Sequence, residues 1–245
     1  MNTRILSILS AGFIATAAFG QTQFYDFNGS TDLADDFTTN ESGDAYNQAT
    51  SCGLNNSGWI SYTGNTDSGF STVTGNLISA NTGSDFTFTQ STYFKTGTRS
   101  DTFGRDNRRA IYLGLTEAAS VSYEGSALPL ETTLSGGLFV ENDADDDSGV
   151  ETVLTVEFFG QTSNPDNNFS VTNLDMQINE DSWYFMSIDY NYSSVDDEWT
   201  LSWALNNSDS AGLVGGSINT STSLAVDNST LFGINPDLHG FFGAN

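Results

Sequence analysis

Basic residues are nearly missing from this chain. Of its 245 residues, six are lysine or arginine and one is histidine, against 31 aspartates and glutamates, for a formal charge of −25. Nucleic acid and anionic lipid are excluded as partners, because both would repel such a chain. With His239 the single histidine and Cys52 the single cysteine, a usual zinc site cannot be assembled. A Ser-His-Asp triad would rest on one residue near the chain end, and no Gly-x-Ser-x-Gly turn accompanies it. One cysteine also excludes a disulfide framework: Cys52 is either a buried small hydrophobe or a free thiol able to pair between chains. Long apolar runs are absent apart from Ile5 to Phe19, which falls short of the ~18–20 residues a spanning helix needs. The chain thus has no transmembrane segment.

That one run has the parts of a secretory signal peptide. Arg4 supplies the positive start, the apolar stretch follows, and Ala18 and Gly20 place small residues at −3 and −1 before Gln21. The sequence therefore predicts residues 1–20 as a signal, with Ala17 as the alternative cleavage point, and residues 21–245 as one exported, soluble domain. Such a length buries roughly 70% of its unfolded surface without disulfides. An acidic exterior nearly free of lysine also suits salty surroundings, where screening shortens self-repulsion to ~8–10 Å.

Periodicity is that of strands. Tyr184, Met186, Ile188, Tyr190 and Tyr192 alternate with Ser187, Asp189 and Asn191, and Trp199, Leu201, Trp203 and Leu205 alternate with Thr200 and Ser202. Turn residues from Ser193 to Glu198 join the two into a hairpin. The shared parity predicts Tyr184, Met186, Ile188, Tyr190, Leu201 and Trp203 in the core. Weaker strand signals lie at Phe24–Phe27, Gly58–Tyr62, Asn76–Ser79, Asp85–Phe94, Arg109–Leu115, Ser120–Glu124, Gly137–Glu141, Val153–Phe159, Val171–Ile178 and Thr230–Ile234. No apolar stripe of helical period runs over three turns. The fold class predicted is all-β, a two-sheet antiparallel β-sandwich of the jelly-roll type.

Several stretches carry a family likeness: Tyr25-Asp26-Phe27 with Asp32-Leu33-Ala34-Asp35-Asp36-Phe37, then Ile111-Tyr112-Leu113-Gly114-Leu115, and Trp183-Tyr184 leading into the Trp199 to Leu205 hairpin. On these the chain resembles the concanavalin A-like lectin and glucanase superfamily, and within it the LamG-like exported bacterial proteins that end in a PEP-CTERM sorting signal. The resemblance implies a jelly roll of two curved sheets associated with carbohydrate or matrix binding. A closing strand and the sorting segment are not apparent before Asn245, which leaves an incomplete chain or a simply secreted protein as the two readings.

Candidate sites follow from residue chemistry. Glucanases of this resemblance carry Glu-x-Asp-x-x-Glu on one strand; here Glu151 and Glu157 lie six residues, roughly 20 Å, apart on a strand, beyond the ~5–9.5 Å that glycoside hydrolysis needs. Asp143, Asp145 and Asp147 alternate along a loop and can converge on Ca²⁺, although Ser148 and Leu154 stand where an EF-hand has Gly and Glu. The alternative is a solvated acidic loop. Trp59 and Tyr62, with Trp183, Trp199 and Trp203, offer faces for stacking on sugar rings if exposed, and the parity of Trp199 and Trp203 assigns those two to the interior. Lys95, Arg99, Arg105, Arg108 and Arg109 are all the basic residues left after the signal, gathered in one fifteen-residue window. They either neutralise neighbouring acids or present Arg99, Arg105 and Arg108 to an anionic glycan or an acidic face of another copy.

The sequence thus reads as an exported, non-enzymatic carbohydrate-binding or matrix domain, its partner a glycan or exopolysaccharide. The alternatives are a self-associating structural surface protein and a glycan-active hydrolase or lyase with an unrecognised site.

Overall fold

A computed structural model describes residues 12–14, 37–42, 46–49, 59–62, 69–95, 108–119, 133–142, 152–161, 169–179, 181–220, 224–228 and 231–244. Among these residues there is no α-helix. The strands in chain order are β1 (Gly12–Ile14), β2 (Phe37–Ser42), β3 (Tyr46–Ala49), β4 (Trp59–Tyr62), β5 (Gly69–Ser79), β6 (Phe86–Lys95), β7 (Arg108–Thr116), β8 (Thr133–Asn142), β9 (Thr152–Gln161), β10 (Phe169–Ile178), β11 (Trp183–Ser193), β12 (Glu198–Ser208), β13 (Val214–Thr220), β14 (Leu224–Asp227) and β15 (Asp237–Ala244).

They form the two antiparallel sheets of a β-sandwich jelly roll. One sheet has the order β1-β6-β11-β12-β13, with β14 also on β12; the other runs β10-β9-β8-β7-β15-β5-β2; β3 and β4 make a small separate ladder. Most of the sequence-predicted strands are present with edges moved by a few residues. Phe24–Phe27 and Ser120–Glu124 lie outside the described residues. Thr230–Ile234 is a correction: residues 231–234 form a turn in which the N–H groups of Leu231, Phe232 and Gly233 all donate to the Asn228 carbonyl. The strand in this part of the chain comes later, as β15, whose alternation is blurred by Gly240 and Gly243.

The core of the first sheet is a ladder of facing rows. Register places Phe86 beside Tyr192 and Trp199, Phe88 beside Tyr190 and Leu201, Gln90 beside Ile188 and Trp203, and Thr92 beside Met186 and Leu205. All are buried, as is Tyr184 opposite Phe94, so the six residues the hairpin parity predicts as core are all interior. Rings close the ladder around Trp199, which meets Phe86 at 6.0 Å and Phe232 at 5.6 Å edge to face and Tyr192 at 5.3 Å in a tilted contact. At roughly 1.5–3 kcal/mol for each large apolar side chain removed from water, a one-residue slip of register would forfeit the whole ladder.

One polar side chain ties the sheets together. Gln90, fully buried, donates from Nε2 to the Phe241 carbonyl at 2.8 Å and accepts the Tyr190 hydroxyl at Oε1. Phe241 lies beside a bulge in β15, where the register against β5 shifts between His239 and Phe241.

Candidate functional site

The outer face of the first sheet carries the opposite parity, and most of it is polar: Thr87 and Thr89 on β6, where Ser91 is buried between Thr89 and Tyr93; Ser187, Asp189 and Asn191 on β11; Thr200 and Ser202 on β12. At one end this changes to aromatic. Tyr93 and Phe185 are register partners, their rings 4.8 Å apart and tilted by 54°, and Trp183 follows one position along, opposite Lys95. All three aromatics are partly exposed. Lys95 is ion-paired to Asp181, which sits at φ 51° in the turn before β11.

The neighbouring β12–β13 turn holds Tyr93 in place. Asp209 accepts the N–H groups of Ala211 at 2.8 Å and Leu213 at 3.0 Å, Gly212 takes a φ of 79° that a side chain would resist, and the Tyr93 hydroxyl donates to the Gly212 carbonyl at 3.2 Å. Burial, with the Asp209 charge as a second cause, raises the Tyr93 hydroxyl above its ordinary pKa, so it stays a neutral donor near pH 7. Leu213 and Val214, both exposed, extend the apolar surface. The result is a fixed aromatic strip bordered by a lysine and by hydroxyl, amide and carboxylate groups, chemistry that suits a ligand with one apolar face and a hydroxylated edge.

At the other end of the sandwich the loops are braced against one another. Asn228 is the hub: its Oδ1 accepts the Trp199 indole N–H at 2.8 Å, and its Nδ2 donates to Asp197 Oδ1 at 3.0 Å and to the Gly233 carbonyl. Asp197 also accepts the Tyr192 hydroxyl, whose pKa is pushed up to about 12 by burial, by that hydrogen bond and by the charges of Asp197 and Asp85. Asp85 fastens Ser194, and Asn235 fastens Thr82. These groups spend hydrogen-bonding capacity on the loops themselves.

Of the sequence candidates, Arg99, Arg105, Asp143, Asp145 and Asp147 lie outside the described residues, as do Cys52 and Glu151. Trp59 and Tyr62 open and close β4, opposite Ala49 and Tyr46; their side chains are not among those described. Arg108 opens β7, directly opposite Glu141 on β8, and the next strand ends, Asn142 and Thr152, face each other. Topology sets these ends of β7, β8 and β9 at the same end of the sandwich as the aromatic strip. β5 and β6 join through residues 80–85 at the braced end, so Lys95 ends β6 at the opposite end; β15 starts beside Ser79 at the braced end and pairs His239 with Thr116, so Arg108 too lies at the far end. The strand ends Lys95, Arg108, Asn142 and Thr152 therefore all stand at the end where Trp183, Phe185 and Tyr93 sit.

Trp199 and Trp203 are interior, as their parity predicts. The sequence reading did not single out Tyr93 and Phe185, although a signal existed: Phe185 is an aromatic on the polar parity of β11. His239 is anchored in the second sheet with Nδ1 donating to the Thr74 carbonyl at 2.8 Å. Among the described residues no three His, Cys, Asp or Glu side chains gather as a metal site, and no helix is long and apolar enough to cross a membrane.

No protein-family model matches the chain, and no curated protein matches it. Solved structures similar to it include winged bean acidic lectin complexed with methyl-α-D-galactose (9% identity, TM-score 0.46, covering 86% of this chain and 84% of that one). Others are lectin II from Ulex europaeus (12%, TM-score 0.42, 99% and 91%) and peanut lectin with a nine-residue peptide (13%, TM-score 0.43, 85% and 90%).

Proposed function

We propose that this protein is an exported, non-enzymatic carbohydrate-binding domain of the LamG-like kind, and that its ligand, an exopolysaccharide or surface glycan, lies along Trp183, Phe185 and Tyr93. One observation carries the reading: the aromatic strip is partly exposed on a strand face that is otherwise polar, beside Lys95. Buried aromatics explain themselves by packing, whereas an aromatic row left in water and fixed by a turn is suited to stacking. Arg99 and Arg105 belong to the segment that follows Lys95 and Arg108 opens the next strand, which favours a uronate or sulfated glycan whose acid groups they would meet. Asp143, Asp145 and Asp147, in the segment that joins Asn142 to Thr152, would take Ca²⁺ weakly beside the glycan, in the ~10⁻⁴–10⁻³ M range of extracellular modules. Arg4, the apolar run and the small residues before Gln21 support export.

The test is retention on uronate-rich and sulfated polysaccharides and on neutral glucans. Trp183→Ala and Phe185→Ala should each weaken binding about 2- to 12-fold, the scale of an aromatic contact of about 0.5–1.5 kcal/mol, with the far-UV spectrum unchanged. An Arg99/Arg105/Arg108→Ser variant should lose preference for the charged polymers alone. Equal retention of parent and both aromatic variants on every polymer would reject the strip as the site.

A further inference from the structure

On the outer face of β6, β11 and β12, Lys95 stands beside the aromatic strip and Glu198 at the braced end; between them Asp189 is the single acid or base. It lies on β11 four residues beyond Phe185 and on the same parity, so roughly 13 Å further along the strand. Its register partner on β6 is Thr89, whose hydroxyl donates to Asp189 Oδ1 at 2.6 Å. Resting on the carbohydrate-binding reading, we infer that Asp189 and Thr89 are the specificity-determining end of the same site. They take sugar hydroxyls and turn away acid groups, so the ligand is a glycan of mixed acidic and neutral sugars and not a uniform polyanion.

The two ends of this face have opposite hydrogen-bonding chemistry. A lysine ammonium has donors only, so Lys95 suits a carboxylate or a sulfate, and its pairing with Asp181 still leaves it N–H groups to offer. A carboxylate has acceptors only, and the one proton that Thr89 could give is already committed to Asp189. The pair therefore presents lone pairs and no donor. A sugar hydroxyl can donate to it, whereas an acid group brings no proton and meets a like charge. Both side chains are partly exposed, and the bond to Thr89 keeps the carboxylate from swinging away from the sheet.

Nothing tall separates the two ends. Ser187 follows Phe185 on this face, and its partner on β12 is Ala204, so a chain stacked on Phe185 continues close to the sheet until it reaches Asp189. Lys95 and Thr89 are six residues apart on β6, roughly 20 Å, a length for an oligosaccharide and not for one ring. A glycan with an acid on every ring would set one of them against Asp189 whichever way it ran. With acids on some rings only, the chain lies with an acid toward Lys95 and a neutral, hydroxylated ring at Asp189.

Calorimetric affinities for two sets of oligosaccharides of equal length test this: polygalacturonate fragments, with an acid on each ring, and hyaluronan fragments, with an acid on alternate rings. The parent should hold the alternating set more tightly. Asp189→Asn keeps an acceptor for Thr89, removes the charge and adds a donor. It should bind the uniform set about fivefold more tightly than the parent does, the factor for two like charges about 4 Å apart in water, and the gain should shrink between about 0.05 and 0.5 M salt. Asp196→Asn makes the same change of net charge in the exposed β11–β12 turn and should leave both affinities where they were. A parent that holds the uniform set as well as the alternating one, an Asp189→Asn variant without the gain, or an equal gain in Asp196→Asn overturns the inference while the aromatic strip stands. A parent that binds neither set, or Trp183→Ala and Phe185→Ala variants that match the parent on both, overturns the strip itself and this inference with it.

Discussion

At the residue scale, the polar side chains that matter for stability are those that satisfy several partners at once. Asn228 is the clearest case. Only an amide can accept the Trp199 indole N–H while donating to both Asp197 and Gly233, and the residue is 1% exposed, so water cannot replace what is lost. Asn228→Ala is expected to lower unfolding stability by about 2–4 kcal/mol, because a buried indole N–H is left unpaired and the turn before β15 loses its brace. Asn228→Asp keeps the acceptor but sets a second carboxylate beside Asp197, and should recover little at neutral pH. Urea denaturation of the three proteins measures both; an Asn228→Ala variant within about 0.5 kcal/mol of the parent would show that the hub is dispensable.

At the element scale, the question is why two sheets of unlike composition hold one alignment. Apolar packing is non-directional, so a ladder of aromatics fixes which faces meet more firmly than where along the strands they meet. Gln90 adds the direction, because one amide meets both the Phe241 carbonyl beside the β15 bulge and the Tyr190 hydroxyl. Gln90→Ala should cost about 2–4 kcal/mol, part from the cavity and part from two polar groups deprived of a partner. Gln90→Leu separates the two causes: filling the volume without the hydrogen bonds should recover only part of the loss. Full recovery in thermal and urea unfolding would mean that volume alone matters at this position.

For the whole molecule, the dominant fact is charge. With 31 acids against six basic residues, long-range self-repulsion opposes the compact state, and described countercharge is local, as at Lys95 with Asp181. Raising sodium chloride from about 0.02 to 0.5 M shortens the reach of that repulsion from roughly 20 Å to 4 Å and should raise the melting temperature by several degrees. Sodium chloride and potassium chloride should act alike, because screening does not depend on the cation's identity. A melting temperature independent of salt would mean that the acids are spaced widely enough not to oppose folding.

The two-residue alternation of Tyr184 to Tyr192 and Trp199 to Leu205 determined a hairpin, its core face and the all-β class before any coordinates, because a period of two admits only one buried side. The same alternation could not locate β15, whose glycines interrupt the pattern and whose place between β7 and β5 depends on strands far away in sequence. Nor could it find the aromatic strip. Phe185 and Trp183 are local to β11, but Tyr93 comes from β6 and is aimed by a carbonyl in the β12–β13 turn, so only the pairing of strands some ninety residues apart assembles the three. Composition determined the charge and the partners it repels; the tertiary structure decided that Lys95 stands beside the strip, because strand direction, which no local pattern encodes, sets which ends of the strands meet.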